Sequence, residues 1–121
     1  MLKKIYSYVL IGVCLFVLTG CEDVFVENIS DDSVEIVFPA NNAVLQSGNI
    51  SFVWERLYGA TDYRIIIVSP SFSDIQNYVH DDTLIGTRLD ITLPVGTYEW
   101  SLQADNFGYR SLKTVSTLEI R

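Results

Sequence analysis

Beyond Cys21 the chain has no cysteine. It has two in all, Cys14 and Cys21, so nothing downstream can be closed by an intramolecular disulfide, and a fold there must rest on an apolar core. Histidine is scarcer still. His80 is the single one, with no second His and no Cys beside it to share a transition metal. His80-Asp81-Asp82 offers carboxylates to a hard cation, but neighbouring acids of this kind ordinarily form a solvated turn, and no metal site is expected. There is no G-x-S-x-G, no Cys/His pair and no glycine-rich phosphate loop. Paired acids for glycoside hydrolysis need one raised pKa in a deep cleft, which a sandwich of about 90 residues rarely offers. No catalytic residue and no cofactor are expected.

Positive charge is also thin. Lys3 and Lys4 fall in the first 20 residues, which hold no acid, so residues 21–121 carry 6 Lys and Arg against 15 Asp and Glu, a formal charge of −9. Such a chain is repelled by phosphate backbones, and nucleic acid is not an expected partner. An anionic membrane surface attracts it no better. Amphipathic helical patterning is missing too: no i, i+3, i+4 apolar pattern runs for three turns.

One long apolar run exists, from Ile5 to Leu18, behind Met1-Leu2-Lys3-Lys4 and ahead of Leu18-Thr19-Gly20-Cys21. It is shorter than the roughly 20 residues a membrane-spanning helix needs. A basic start, an apolar stretch and small residues before a processing site describe a secretory signal peptide. The Leu-Thr-Gly-Cys tetrad resembles the lipobox of bacterial lipoproteins. That resemblance implies cleavage before Cys21 and a diacylglycerol on its thiol, hence a membrane partner reached through an N-terminal lipid. The expected division is a signal peptide over 1–20, the lipidated Cys and an acidic tether over 21–32, and one domain over 33–121. As a flexible coil the eleven residues after Cys21 reach roughly 17–20 Å, and fully extended at most about 40 Å. The acids just after Cys21 resemble the export signal of some surface lipoproteins. They imply a lipid-anchored, surface-exposed place on the outer membrane; the plainer alternative is a solvated spacer facing the periplasm.

From Ser33 onward the apolar residues alternate, with turn residues between the runs. Val34, Ile36 and Phe38 alternate up to Pro39; Ile50, Phe52 and Trp54 follow Gly48-Asn49; Tyr63, Ile65 and Ile67 follow Gly59. Leu89, Ile91 and Leu93 run to Pro94. Tyr98, Trp100, Leu102 and Ala104 run to Asp105-Asn106, and Leu118 and Ile120 share one face of a last strand. Period-two alternation predicts half-buried strands. Ser73 to His80 reads as a loop or one short turn, with a weak strand near Thr83 to Ile85. The prediction is a single all-β, antiparallel, immunoglobulin-like sandwich of about seven strands.

Trp54-Glu55-Arg56-Leu57-Tyr58-Gly59-Ala60-Thr61-Asp62-Tyr63 resembles the strand-B Trp, loop and strand-C Tyr of fibronectin type III domains. Leu93-Pro94-Val95-Gly96-Thr97-Tyr98-Glu99-Trp100-Ser101-Leu102-Gln103-Ala104 resembles the same family's strand F, with a Leu-to-Tyr spacing one residue shorter than usual. The resemblance covers about residues 33–121 and implies that Tyr98 turns its hydroxyl to the backbone of the preceding corner. Trp54 and Trp100 fall on inward phases and are expected in the core rather than on an exposed sugar-stacking platform.

In that topology the loops carrying Tyr58 and carrying Phe107, Tyr109 and Arg110 share one end, where the N-terminus also emerges. These four are the candidate ligand- or partner-binding residues, since loop aromatics with an Arg stack on sugars or anchor proteins. The plainer reading, preferred on the sequence, is that they cap the core. A second candidate surface is the outward face of the Tyr63 strand, with Ile66 and Val68 beside Arg64. The expected function is a non-catalytic, lipid-anchored envelope module. Resemblance to accessory lipoproteins of glycan-uptake systems points to glycan binding; the alternative is an adaptor docking on a larger outer-membrane protein complex.

Overall fold

The computed structural model describes residues 26–121; the signal-peptide and Cys21 readings lie outside the described residues. Eight strands follow one another: β1 (Ile36–Phe38), β2 (Ala43–Leu45), β3 (Gly48–Trp54), β4 (Asp62–Ser71), β5 (Asp74–Leu84), β6 (Arg88–Leu93), β7 (Gly96–Asp105) and β8 (Thr114–Ile120). They form a three-stranded sheet in the order β1-β3-β6 and a five-stranded sheet in the order β2-β8-β7-β4-β5. All pairings are antiparallel except the short β2–β8 ladder. β2 is not foreseen at all in the sequence, its three residues being too few to show a period, and β5 is foreseen only as a weak strand near Thr83 to Ile85.

Alternation decides which side chains meet between the sheets, because successive residues of a strand face opposite ways. Ile50, Phe52 and Trp54 of β3 therefore face Tyr63, Ile65 and Ile67 of β4 and Tyr98, Trp100, Leu102 and Ala104 of β7, and all are buried. Phe52 meets Trp100 edge-on across the sheets at 4.8 Å between ring centroids, and Trp54 meets Tyr63 at 5.9 Å. Each such pair adds about 0.5–1.5 kcal/mol beyond area burial. Trp54 and Trp100 are thus core residues. Their indole nitrogens have no protein hydrogen-bond partner among the described residues. The Tyr98 hydroxyl donates to the Pro94 carbonyl at 2.7 Å, which is the expected corner, and burial pushes the Tyr98 phenol above its ordinary pKa.

Four expectations need correction. Ser73 to His80 is not a loop. Ser71 pairs with Asp74 across a two-residue turn, Phe72-Ser73, and β5 then runs the length of β4. It lies at the edge of its sheet, where much of both faces is solvated, so its polar sequence shows no alternation. Its exposed Asp74, Asp81 and Asp82 and its register irregularities against β4 are the usual means by which an edge resists pairing with another chain. Phe38 is exposed rather than inward, because the β1–β3 register shifts between Ile36 and Phe38. Val68 has the outward phase but is fully buried. Its β7 partner is Glu99, whose carboxylate accepts the Phe72 amide at 2.8 Å and so ties the β4–β5 turn to this face.

The fourth correction concerns the acidic segment. Ile29 is 1% exposed and belongs to the hydrophobic core. The Leu112 amide donates to the Asp32 carbonyl at 2.8 Å, and Ser33 bridges to Leu112. From Glu27 onward the segment is part of the domain, and it closes the end of the sandwich that the loop aromatics were expected to cap.

Candidate functional site

The β3–β4 loop (55–61) and the β7–β8 loop (106–113) lie at one end of the sandwich, joined by Asn106. The Asn106 side-chain amide donates to the Glu27 carbonyl at 2.8 Å and to the Gly59 carbonyl at 3.0 Å. Its oxygen accepts the Gly108 amide at 3.0 Å and the Tyr109 amide at 2.8 Å. One buried side chain thus fixes the N-terminal segment and both loops. Gly59, at φ +88°, sits against Glu27; a β-carbon there would lie 2.7 Å from the Glu27 Cβ. The sequence did not mark Asn106 as more than a turn residue.

On this frame the four candidate residues separate. Tyr58 is 81% exposed and Phe107 is 93% exposed, so neither caps the core; Ile29 does. Tyr109 is only partly exposed. Arg110 bridges back to Asp105, and its guanidinium meets the Asp105 carboxylate at 3.1 Å. Tyr58 and Phe107 stand out from the end, whereas Arg110 turns to the flank.

That flank, the outer face of the five-stranded sheet, carries an open groove of about 590 Å³. Strand register builds it: Asp62 lies opposite Asp105, and Arg64 opposite Gln103 on β7 and Thr83 on β5. Arg64 grips Asp81 in a two-pronged ion pair at 3.1 and 2.9 Å. The hydrogen bonds from Arg64 hold the Asp81 carboxyl below the usual carboxylate range and raise the guanidinium. Asp82 and Arg110 complete the lining. Four carboxylates and two guanidinia leave the groove net negative, an environment of paired donors and acceptors. At its β7 end it meets a hollow bounded by Asn106, Phe107, Tyr109 and Arg110. Arg64 was legible as outward-facing; its Asp81 partner was not, because β5 was not.

A second, mainly apolar hollow of about 320 Å³ lies on the same face between Ile66, Phe72 and Val115, edged by Glu99 and Lys113. It retains half of the expected Ile66–Val68 surface, with Val115 taking the place of buried Val68. His80 and Asp82 are 3.9 Å apart, while Asp81 is taken by Arg64. Among the described residues no group of three His, Cys, Asp or Glu is placed to hold a metal ion.

Several solved structures similar to this chain are fibronectin type III domains. A fibronectin(III)-like module of Clostridium thermocellum CbhA matches 73% of this chain and 95% of its own length, with TM-score 0.53 and 12% identity. A fourth FNIII domain from human matches 84% of this chain and 88% of its own length, at TM-score 0.51 and 14% identity. The fibronectin type III domain of human KIAA0970 covers 71% of this chain and 72% of that one, again at TM-score 0.51 and 14% identity. At such identities the likeness establishes the fold, a fibronectin type III-like sandwich, and nothing about ligand. No family model and no curated protein matches the chain.

Proposed function

We propose that the protein is a non-catalytic, lipid-anchored module of the bacterial outer membrane that binds neutral glycan along the groove of its five-stranded sheet. The anchor rests on the order Lys3-Lys4, apolar run, Leu18-Thr19-Gly20-Cys21. The glycan reading is carried by one observation, the groove in which Arg64–Asp81 and Arg110–Asp105 present fixed donors beside fixed acceptors. Vicinal sugar hydroxyls donate to carboxylates and accept from guanidinium, and the surplus of negative charge disfavours acidic polysaccharide. A glycosidase needs a carboxylic acid that keeps its proton; the pairing with Arg64 moves Asp81 the opposite way.

Full-length protein in detergent, applied to a panel of neutral oligosaccharides, is expected to bind at millimolar or tighter levels. Arg64→Ala and Arg110→Ala each weaken binding by about tenfold, the loss of one charge-assisted hydrogen bond. No sugar bound at millimolar concentration removes the glycan reading. Palmitate labelling that persists in Cys21→Ala removes the anchor.

The hollow between Ile66, Phe72 and Val115 favours a second reading, an adaptor docked on a larger outer-membrane protein. A photo-cross-linker at Val115 in intact cells then captures one recurrent membrane protein, and Arg64→Ala leaves that capture unchanged.

A further inference from the structure

Among the described residues three large apolar side chains are more than 80% exposed: Tyr58, Ile85 and Phe107. They come from three separate loops, yet all lie at one end of the sandwich. Asn106 ties the Tyr58 loop to the Phe107 loop. Ile85 follows Leu84, which pairs with Tyr63 at the start of β4, and the Trp54 amide donates to the Thr87 carbonyl just beyond it. Among the described residues the opposite end shows no apolar side chain so exposed; it carries Val95, 68% exposed in the turn between β6 and β7, and Val44, 49% exposed beside the end of β8.

The described chain also begins at this end. The Val26 side chain lies where a β-carbon on Gly108 would touch it, at 3.5 Å, and Glu27 lies against Gly59. The chain therefore leaves the domain between the Tyr58 and Phe107 loops. Five residue steps separate Val26 from Cys21, not the eleven of a free tether. Five steps reach at most about 18 Å extended and average about 12 Å as a coil.

From this geometry we infer that Tyr58, Ile85 and Phe107 rest on the bilayer in which the Cys21 lipid sits, as a second and non-covalent attachment. The inference rests on the lipid anchor of the preceding subsection. An anchored Cys21 lies at the headgroups, a layer about 5–8 Å deep on each side of the hydrocarbon, so these tips are held within reach of it whatever else the domain binds. Aromatic rings partition favourably into that interface, and isolated apolar tips insert without a transmembrane segment. The membrane is favoured over a protein as occupant because the short connection holds the tips near lipid at all times. The acidic chain, −9 beyond residue 20, fits a zwitterionic rather than an anionic surface. Contact at this end stands the sandwich upright, so that the groove on its flank faces sideways into solvent.

The test uses full-length, lipid-modified protein in phosphatidylcholine vesicles containing lipid brominated on its acyl chains. Phe107→Trp and Val95→Trp place a new indole at each end, both at exposed positions; wild type gives the baseline from buried Trp54 and Trp100. The expected result is co-flotation of all three proteins, with bromolipid quenching of Phe107→Trp at least about twofold above Val95→Trp, as for an interfacial aromatic. Co-flotation with equal quenching at the two ends, or with none above wild type, overturns the contact and leaves the anchor standing. Quenching of Phe107→Trp that needs other membrane proteins overturns it in favour of a protein occupant. Failure of wild type to float removes the anchor, and the contact with it.

Discussion

Replacing Asn106 by Ala tests whether the end of the sandwich is held as described. The substitution removes four hydrogen bonds, two from the side-chain nitrogen to the Glu27 and Gly59 carbonyls and two from the Gly108 and Tyr109 amides to its oxygen. At a net worth of about 1 kcal/mol each the loss is about 4 kcal/mol. All four bonds are only part-buried, so water replaces some of them in the mutant, which brings the expected loss to about 2–3 kcal/mol. With an m-value of about 1.2 kcal/mol/M, usual for a small domain in urea, the midpoint falls by about 2 M. Buried Trp54 and Trp100 provide the fluorescence signal for the unfolding curve. Ile29→Ala, a large-to-small change at a 1% exposed position, costs about 2–5 kcal/mol. Because Asn106 holds the segment that carries Ile29, the double mutant is expected to lose less than the sum, by more than about 0.5 kcal/mol. A midpoint shift below about 0.4 M for Asn106→Ala, or strict additivity in the cycle, refutes the view that the acidic segment is part of the fold.

Two further outcomes follow from single contacts. Tyr98→Phe loses the bond to Pro94 and is expected to cost about 1–1.5 kcal/mol by urea unfolding. Burial raises the Tyr98 phenol, so the wild-type contribution is complete below the ordinary tyrosine range and is lost as pH rises through the folded-state value; the gap between wild type and Tyr98→Phe should close in alkaline unfolding curves. Gly59→Ala meets the Glu27 Cβ at 2.7 Å from a positive φ and is expected to destabilise by about 1–3 kcal/mol, whereas Gly86→Ala, with open space around it, changes the melting temperature little.

The inner faces were readable because burial on one side writes a period of two into a strand. Phe52, Trp54, Ile65, Ile67, Trp100 and Leu102 all lie where that period puts them. The period fades where burial is one-sided by other means. β5 sits at an edge, so Asp81 and Asp82 look like a polar loop although both lie in register against β4. Ile29 is a lone apolar residue among Glu27, Asn28, Ser30, Asp31 and Asp32; one buried side chain carries no periodicity, and the segment reads as a tether. The groove follows the same logic. Its Arg64–Asp81 and Asp62–Asp105 juxtapositions are set by registers between strands 17 and 43 residues apart, which no local pattern records.

The four loop residues that the sequence grouped together are divided by the structure into two chemistries. Tyr58 and Phe107 project from the end, beside the point where the chain runs toward Cys21, while Arg110 is folded back by Asp105 onto the flank. A glycan held at the tips would compete with the bilayer for the same surface, since the connection to Cys21 is only five residues long. A glycan held along the β4–β7–β5 flank meets no such conflict, because Arg64 lies two residue pairs from the end of the β4–β7 ladder and Asp81, opposite Ile66, lies further in, on a surface the proposed bilayer contact leaves open. The two proposals therefore predict opposite mutational patterns. Tip substitutions should alter lipid contact and spare sugar affinity, and Arg64 or Arg110 substitutions should do the reverse. Tyr109, half exposed between tip and groove, is the position at which the two effects should overlap.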